Sequence, residues 1–145
     1  MTLSIGTAKL NSLLGKVQKG VGNNKILPVT EYLLLEVADK QLSITATNFV
    51  NFITISDKVE TEENWTAIVK ADTLIKLAAK TTKSELKLTL KEDFLEVKGN
   101  GTYKLDLFTE DFPSYDFDES TKKHEVETSV LKRVFVVNRA SIATE

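Results

Sequence analysis

The chain has 145 residues, 41% of them hydrophobic, with 19 basic and 21 acidic side chains and no cysteine. That length supports one core of ordinary size and not two, and the absence of cysteine excludes a disulfide-stapled scaffold and any thiolate metal site. The longest apolar runs, such as Leu33-Leu34-Leu35, fall far short of the roughly 18 residues of a membrane span, and residues 1–4 lack the basic and apolar regions of an export signal, so a cytoplasmic protein without a membrane role is expected.

A short strand at Leu3-Ser4-Ile5 opens the chain. From residue 7 onward Leu10, Leu13, Leu14, Val17 and Val21 recur at helical spacing within about 100° of arc. This predicts a helix with Thr7 as its N-cap and Gly20-Val21-Gly22 as its stop, and it puts Lys16 and Lys19 on the opposite face with Lys9 at the edge. The period then changes to two. Leu33-Leu34-Leu35-Glu36-Val37, Leu42-Ser43-Ile44-Thr45-Ala46 and Phe52-Ile53-Thr54-Ile55 read as three strands, the first two joined by a tight turn at 38–41. A strand at Trp65-Thr66-Ala67-Ile68-Val69 leads into a second helix, whose apolar stripe is Ala71, Leu74, Ile75 and Ala78 and whose outer face carries Lys76, Lys80 and Lys83. Three more strands follow, at 86–90, 94–98 and 103–107, the last two connected by Gly99-Asn100-Gly101.

The unit strand, helix, strand, strand, strand therefore occurs twice, over about residues 1–60 and 61–111. Two such units side by side predict an α+β domain of pseudo-two-fold symmetry, antiparallel sheet outside and both helices on one face. Residues 112–125 have no apolar period and read as a linker closing a domain of residues 1–125. Residues 126–145 read as the first strand and helix of an incomplete second domain. That helix, over 128–144, is expected to bury Val130, Leu131, Val134 and Phe135.

A net charge of −2 argues against a nucleic-acid partner, but the average conceals a segregation. Residues 7–25, 70–83 and 128–144 carry four, three and three net positive charges, with Asp72 the single acid among them. All three windows are helical by pattern, so a common side for them makes a basic face. Lysines spread along helices without bidentate Arg or Asn/Gln patterns suit phosphate backbones and not base edges, which predicts binding without sequence preference.

Catalytic and metal constellations are thin. His124 is the sole histidine and lies in the charged linker, which excludes a Ser-His-Asp triad and a two-histidine metal site. Gly20-x-Gly22 follows a helix, the wrong context for a dinucleotide loop, and reads as a stop. Asp111, Asp116, Asp118 and Glu119 lack the spacing and the glycine of a calcium loop. Trp65, Tyr32 and Tyr103 alternate within strands and read as packing. No catalytic residue, metal or cofactor is expected.

The run Lys25-Ile26-Leu27-Pro28-Val29, the strands Leu33-Leu34-Leu35-Glu36-Val37-Ala38-Asp39 and Leu42-Ser43-Ile44-Thr45-Ala46-Thr47-Asn48, and Asp111-Phe112-Pro113 before the linker closely resemble the bacterial DNA polymerase III beta subunit, the sliding clamp. Leu131-Lys132-Arg133 resembles the start of that family's second domain. The resemblance reaches the first of three domains and one helix of the second. It implies the DNA-clamp fold and a non-enzymatic processivity role, in a head-to-tail homodimer ring that encircles double-stranded DNA and tethers the replicative polymerase. Carried over, Lys16, Lys19, Lys76 and Lys80 would face the hole. Asn24 stands where the family has a DNA-contacting arginine, with Lys25 beside it, and Tyr103 and Leu105 match edge-strand positions of the subunit interface. The pocket for polymerase and clamp loader belongs to later domains. The other reading is a protein-interaction or small-ligand module of the same fold, its lysines serving solubility alone.

Overall fold

A computed structural model describes residues 1–23, 26–115, 122 and 124–142. The chain divides into two compact units, Met1–Tyr115 and Asp116–Glu145. The first holds β1 (Thr2–Gly6), α1 (Thr7–Val17), β2 (Tyr32–Ala38), β3 (Gln41–Thr47), β4 (Phe52–Lys58), β5 (Trp65–Lys70), α2 (Ala71–Lys80), β6 (Glu85–Leu90), β7 (Phe94–Lys98) and β8 (Thr102–Asp106). Eight strands and two helices stand where period-two and period-3.6 patterning placed them.

The pairing of those strands is not sequential. One antiparallel sheet has the order β1-β6-β7-β8 and the other β4-β3-β2-β5. Each repeat thus donates its first strand to the other repeat's sheet: Leu3 lies opposite Leu88, and Leu35 lies between Ile44 and Ala67. The exchange ties the repeats into one body, because neither sheet is complete without a strand from the other. It also explains why β1 and β5 lead directly into the helices. Along their outer edges β1 and β5 are partly covered in matching ways. Thr61 Oγ1 donates to the Thr2 carbonyl, and the Phe108 amide donates to the Ile68 carbonyl at 2.9 Å.

The core forms where the helix stripes meet the sheets. Leu10, Leu13, Leu14 and Val17 of α1 and Ala71, Leu74 and Ala78 of α2 are buried against Leu33, Leu35, Ile44, Leu86, Leu88 and Leu95. Each large apolar side chain taken out of water there contributes about 1.5–3 kcal/mol. The helices touch one another, with Asn11 Nδ2 donating to the Ala78 carbonyl at 3.1 Å. Helix ends differ from the expected caps. Gly6, not Thr7, is the N-cap of α1, and the Thr7 hydroxyl instead donates to the Lys83 carbonyl at 2.6 Å, tying α1 to the start of β6.

The glycines expected to stop α1 do not have a left-handed backbone; no described glycine has a positive φ. Their role is close approach. A Cβ on Gly20 would stand 3.2 Å from the Ala46 carbonyl and from Ile53, and one on Gly22 would stand 2.7 Å from Thr30 Cβ. α1 itself ends earlier, at Val17, passing into a 3₁₀ turn over Gln18–Gly20.

The second unit contains α3 (Thr128–Asn138) followed by a 3₁₀ turn over Arg139–Ser141. The expected strand before it is absent among the described residues, and Glu127 is the N-cap. The expected buried stripe is a correction. No residue of α3 is buried, and Val130, Leu131, Val134 and Phe135 are all exposed. Among its described residues this unit has no sheet to cover the apolar side of α3.

Candidate nucleic-acid interface

α1 and α2 lie side by side with their apolar stripes turned to the sheets, so their remaining faces are left to solvent. Lys16 and, in the turn beyond α1, Lys19 are exposed; so are Lys76 and Lys80 of α2. Lys83 is exposed too, but it lies in the loop after α2 and not on the helix. Among the described residues, Lys16, Lys19, Lys80 and Lys83 have no carboxylate within ion-pair distance.

Three other lysines of these windows, Lys9, Lys70 and Lys76, are partly neutralised. Lys76 Nζ pairs with Asp72 Oδ2 at 2.7 Å across one helical turn. Such an exposed pair adds only about 0.3–0.5 kcal/mol, so the lysine can exchange its partner for a phosphate at little cost. Lys70 pairs with Glu31 at 3.6 Å. Lys9 pairs with Asp57 Oδ1 at 3.1 Å and donates to the Lys58 carbonyl. The hydrogen bond from Lys9 to Asp57 is the main reason that carboxyl is held below its ordinary value, and the charge of Lys16 adds to it. The basic face therefore has an acidic border on the β4 side, which the sequence windows did not reveal because Asp57 lies outside all of them.

Asn24 and Lys25 lie outside the described residues. Tyr103 and Leu105, two residues apart on β8, have the same facing but different surroundings. Leu105 is 4% exposed and belongs to the core, whereas Tyr103 is 45% exposed. Tyr103 shares a shallow cleft of ≈ 190 Å³ with Lys76, Leu77, Lys80 and Asn100. Asn100 anchors that corner. Its Oδ1 accepts from the Thr82 amide at 3.0 Å, and its Nδ2 donates to the Lys80 carbonyl at 3.2 Å. By sequence Asn100 is a turn residue, and the only signal for this link is an Asn between two glycines. Among the described residues β8 pairs with β7 alone along Thr102–Asp106 and β4 pairs with β3 alone, so each is an edge strand.

Among the described residues no group of three or more His, Cys, Asp or Glu is arranged to hold a metal ion. No described helix is long and apolar enough to cross a membrane.

Comparison with known proteins agrees with this architecture. Residues 1–116 match the family model of the DNA polymerase III beta subunit, N-terminal domain. No curated protein sequence matches the chain. Among solved structures, the pol III beta protein of Caulobacter crescentus is 26% identical with a TM-score of 0.90, over 100% of this chain and 40% of that one. The Pseudomonas aeruginosa DNA polymerase III subunit beta, solved with griselimycin, superposes with a TM-score of 0.92 at 23% identity, over 100% of this chain and 40% of its own. A Helicobacter pylori beta clamp bound to a DNA ligase peptide is 19% identical over 80% of this chain and 34% of its own, with a TM-score of 0.71. The chain thus spans about 40% of the length of the first two. With the exchanged-strand repeat, the paired inner helices and a family match over residues 1–116, the chain belongs to the DNA polymerase III beta subunit family, of which it carries the N-terminal domain.

Proposed function

We propose that this chain supplies the first domain of a sliding clamp, a processivity factor that holds duplex DNA by its phosphates, without sequence preference and without catalysis of its own. The observation that carries the reading is the basic side of the paired helices, with Lys16, Lys19, Lys76 and Lys80 exposed opposite the sheets. Lysine is a point charge on a flexible stem, suited to a phosphate at variable distance, and a ring that must slide gains from contacts that are weak and interchangeable. Lys25 and Asn24, outside the described residues, would add to the DNA contact in this reading. The edge strands β4 and β8, with Tyr103 on the second, are where neighbouring domains would continue the sheets and close a homodimer ring. Residues 126–145 begin the next domain, and the docking of polymerase and clamp loader falls to domains beyond it.

The test is a duplex titration at low salt. The native chain is expected to bind weakly, near the non-specific range of roughly 10⁻⁴–10⁻⁶ M, with log affinity falling linearly in log salt. Exchange of Lys16, Lys19, Lys25, Lys76 and Lys80 for Glu is expected to abolish binding. Retention of native affinity in that variant would move DNA off this face and favour a protein-interaction module.

A further inference from the structure

Three described residues other than glycine have a positive φ. Asp39 and Lys40 form the hairpin turn between β2 and β3, and Phe49, at +70°, stands alone in the turn between β3 and β4. A bulky aromatic in the left-handed region is a true outlier, for that is a place where Gly or Asn sits without strain. Phe49 is also 43% exposed, and Val50 beside it is 84% exposed. The turn holds them out rigidly. Thr47 Oγ1, in a fully buried residue, accepts from the Phe49 amide at 2.9 Å and donates to the Asn51 carbonyl at 2.9 Å. Asn48 Oδ1 accepts from the amides of Val50 and Asn51 at 3.1 and 2.7 Å. Strained backbone and a half-exposed ring thus fall on one residue, a local conflict that points to a task for the side chain.

The position of the turn says which task. α1 lies along β4, with Lys9 near its start at Asp57 and Gly20 beyond its end at Ile53. The next stretch of backbone passes close to Asn48, since a methyl group on Gly22 would come within 3.3 Å of the Asn48 Cβ. The Phe49 turn therefore stands beside the end of α1 that carries Lys16 and Lys19.

We propose that Phe49 is a stacking platform for an unpaired base of single-stranded DNA whose phosphates run past Lys16 and Lys19. The proposal rests on the nucleic-acid reading above and adds the form of strand recognised. Every base offers a flat face to an aromatic ring, so stacking needs no sequence, and neighbouring cations follow the backbone. Duplex bases are already stacked on one another and offer the ring nothing.

The experiment compares an oligothymidylate, an abasic strand and a duplex of equal length, each fluorescein-labelled, in low-salt anisotropy titrations of the native chain, Phe49→Asn and Phe49→Trp. The native chain is expected to prefer the oligothymidylate over the abasic strand by about five-fold or more. Phe49→Asn should erase that margin, leave duplex affinity unchanged and melt at or above the native temperature, because Asn tolerates the left-handed backbone. Phe49→Trp should restore the margin, its added emission quenched by the oligothymidylate. A margin that survives in Phe49→Asn, or one absent from the native chain while duplex still binds, overturns the proposal alone and leaves the turn to a protein partner. Parallel losses on single strand and duplex also overturn it. A native chain that binds neither form overturns this proposal and the clamp reading together.

Discussion

Lys40 shows how a single residue can be out of keeping with a turn that is otherwise well made. The two-residue connection between β2 and β3 holds Asp39 at φ +50° and Lys40 at +60°, the mirror-image turn whose twist matches that of the strands. Asp suits the first of those positions, but the second strongly favours Gly. The compensation for lysine is an ion pair with Glu62 at 2.8 Å between two well-exposed side chains, a contact that contributes about 0–1 kcal/mol. Lys40→Gly is therefore expected to stabilise the chain by about 0.5–1 kcal/mol, since the left-handed penalty it removes is about 1–2 kcal/mol. Differential scanning calorimetry should show a rise in Tm of a few degrees. The location of this turn is readable from Ala38-Asp39-Lys40-Gln41 between alternating strands. Phe49 is not readable in the same way, because a Thr-Asn-Phe-Val-Asn run gives no sign of which residue will take the positive φ until the hydroxyl of Thr47 and the side-chain amide of Asn48 have fixed the turn from within.

At the scale of elements, β8 separates what alternation can tell from what it cannot. Period two puts Tyr103 and Leu105 on one face of a strand, and on resemblance alone both are expected at a subunit interface. Leu105 opposes Leu95 beneath the helices, while Tyr103 opposes Val97 in the open cleft beside α2. Their substitutions should differ accordingly. Leu105→Ala is expected to lose about 2–5 kcal/mol in urea denaturation, and Leu105→Glu to unfold the domain by burying an unpaired carboxylate. Tyr103→Lys should stay within about 0.5 kcal/mol of the native chain. The single tryptophan, Trp65, is 5% exposed on β5, so its emission follows the opening of this core. Equal losses at 103 and 105 would show that the cleft beside α2 is part of the core. The helices are the easier elements to read, since Leu10, Leu13, Leu14 and Val17 repeat a period no strand can use. Ile75, expected in the buried stripe of α2, is only partly covered.

In the whole molecule, the exposed apolar side of α3 and the closed core of Met1–Tyr115 lead to one expectation. Removal of residues 116–145 should leave the Tm of the first unit unchanged and weaken self-association at high concentration, which calorimetry and light scattering on both lengths would measure. A fall in Tm would make α3 a part of the first unit's stability. By itself, the sequence determined the kinds of elements, their order, the two-fold repeat and the segregation of lysine to helix windows. These depend on periodicity and composition, which are local properties carried by every few residues. The tertiary structure alone decided the exchange of β1 and β5 between repeats, the neutralisation of Lys9 and Lys70, the burial of Leu105 and the exposure of Phe49. Each of these depends on which distant segment lies alongside. A strand shows its faces to its own sequence and its neighbours only to the fold, because main-chain hydrogen bonds pair any strand with any other and the choice is made by the packing of the side chains above them.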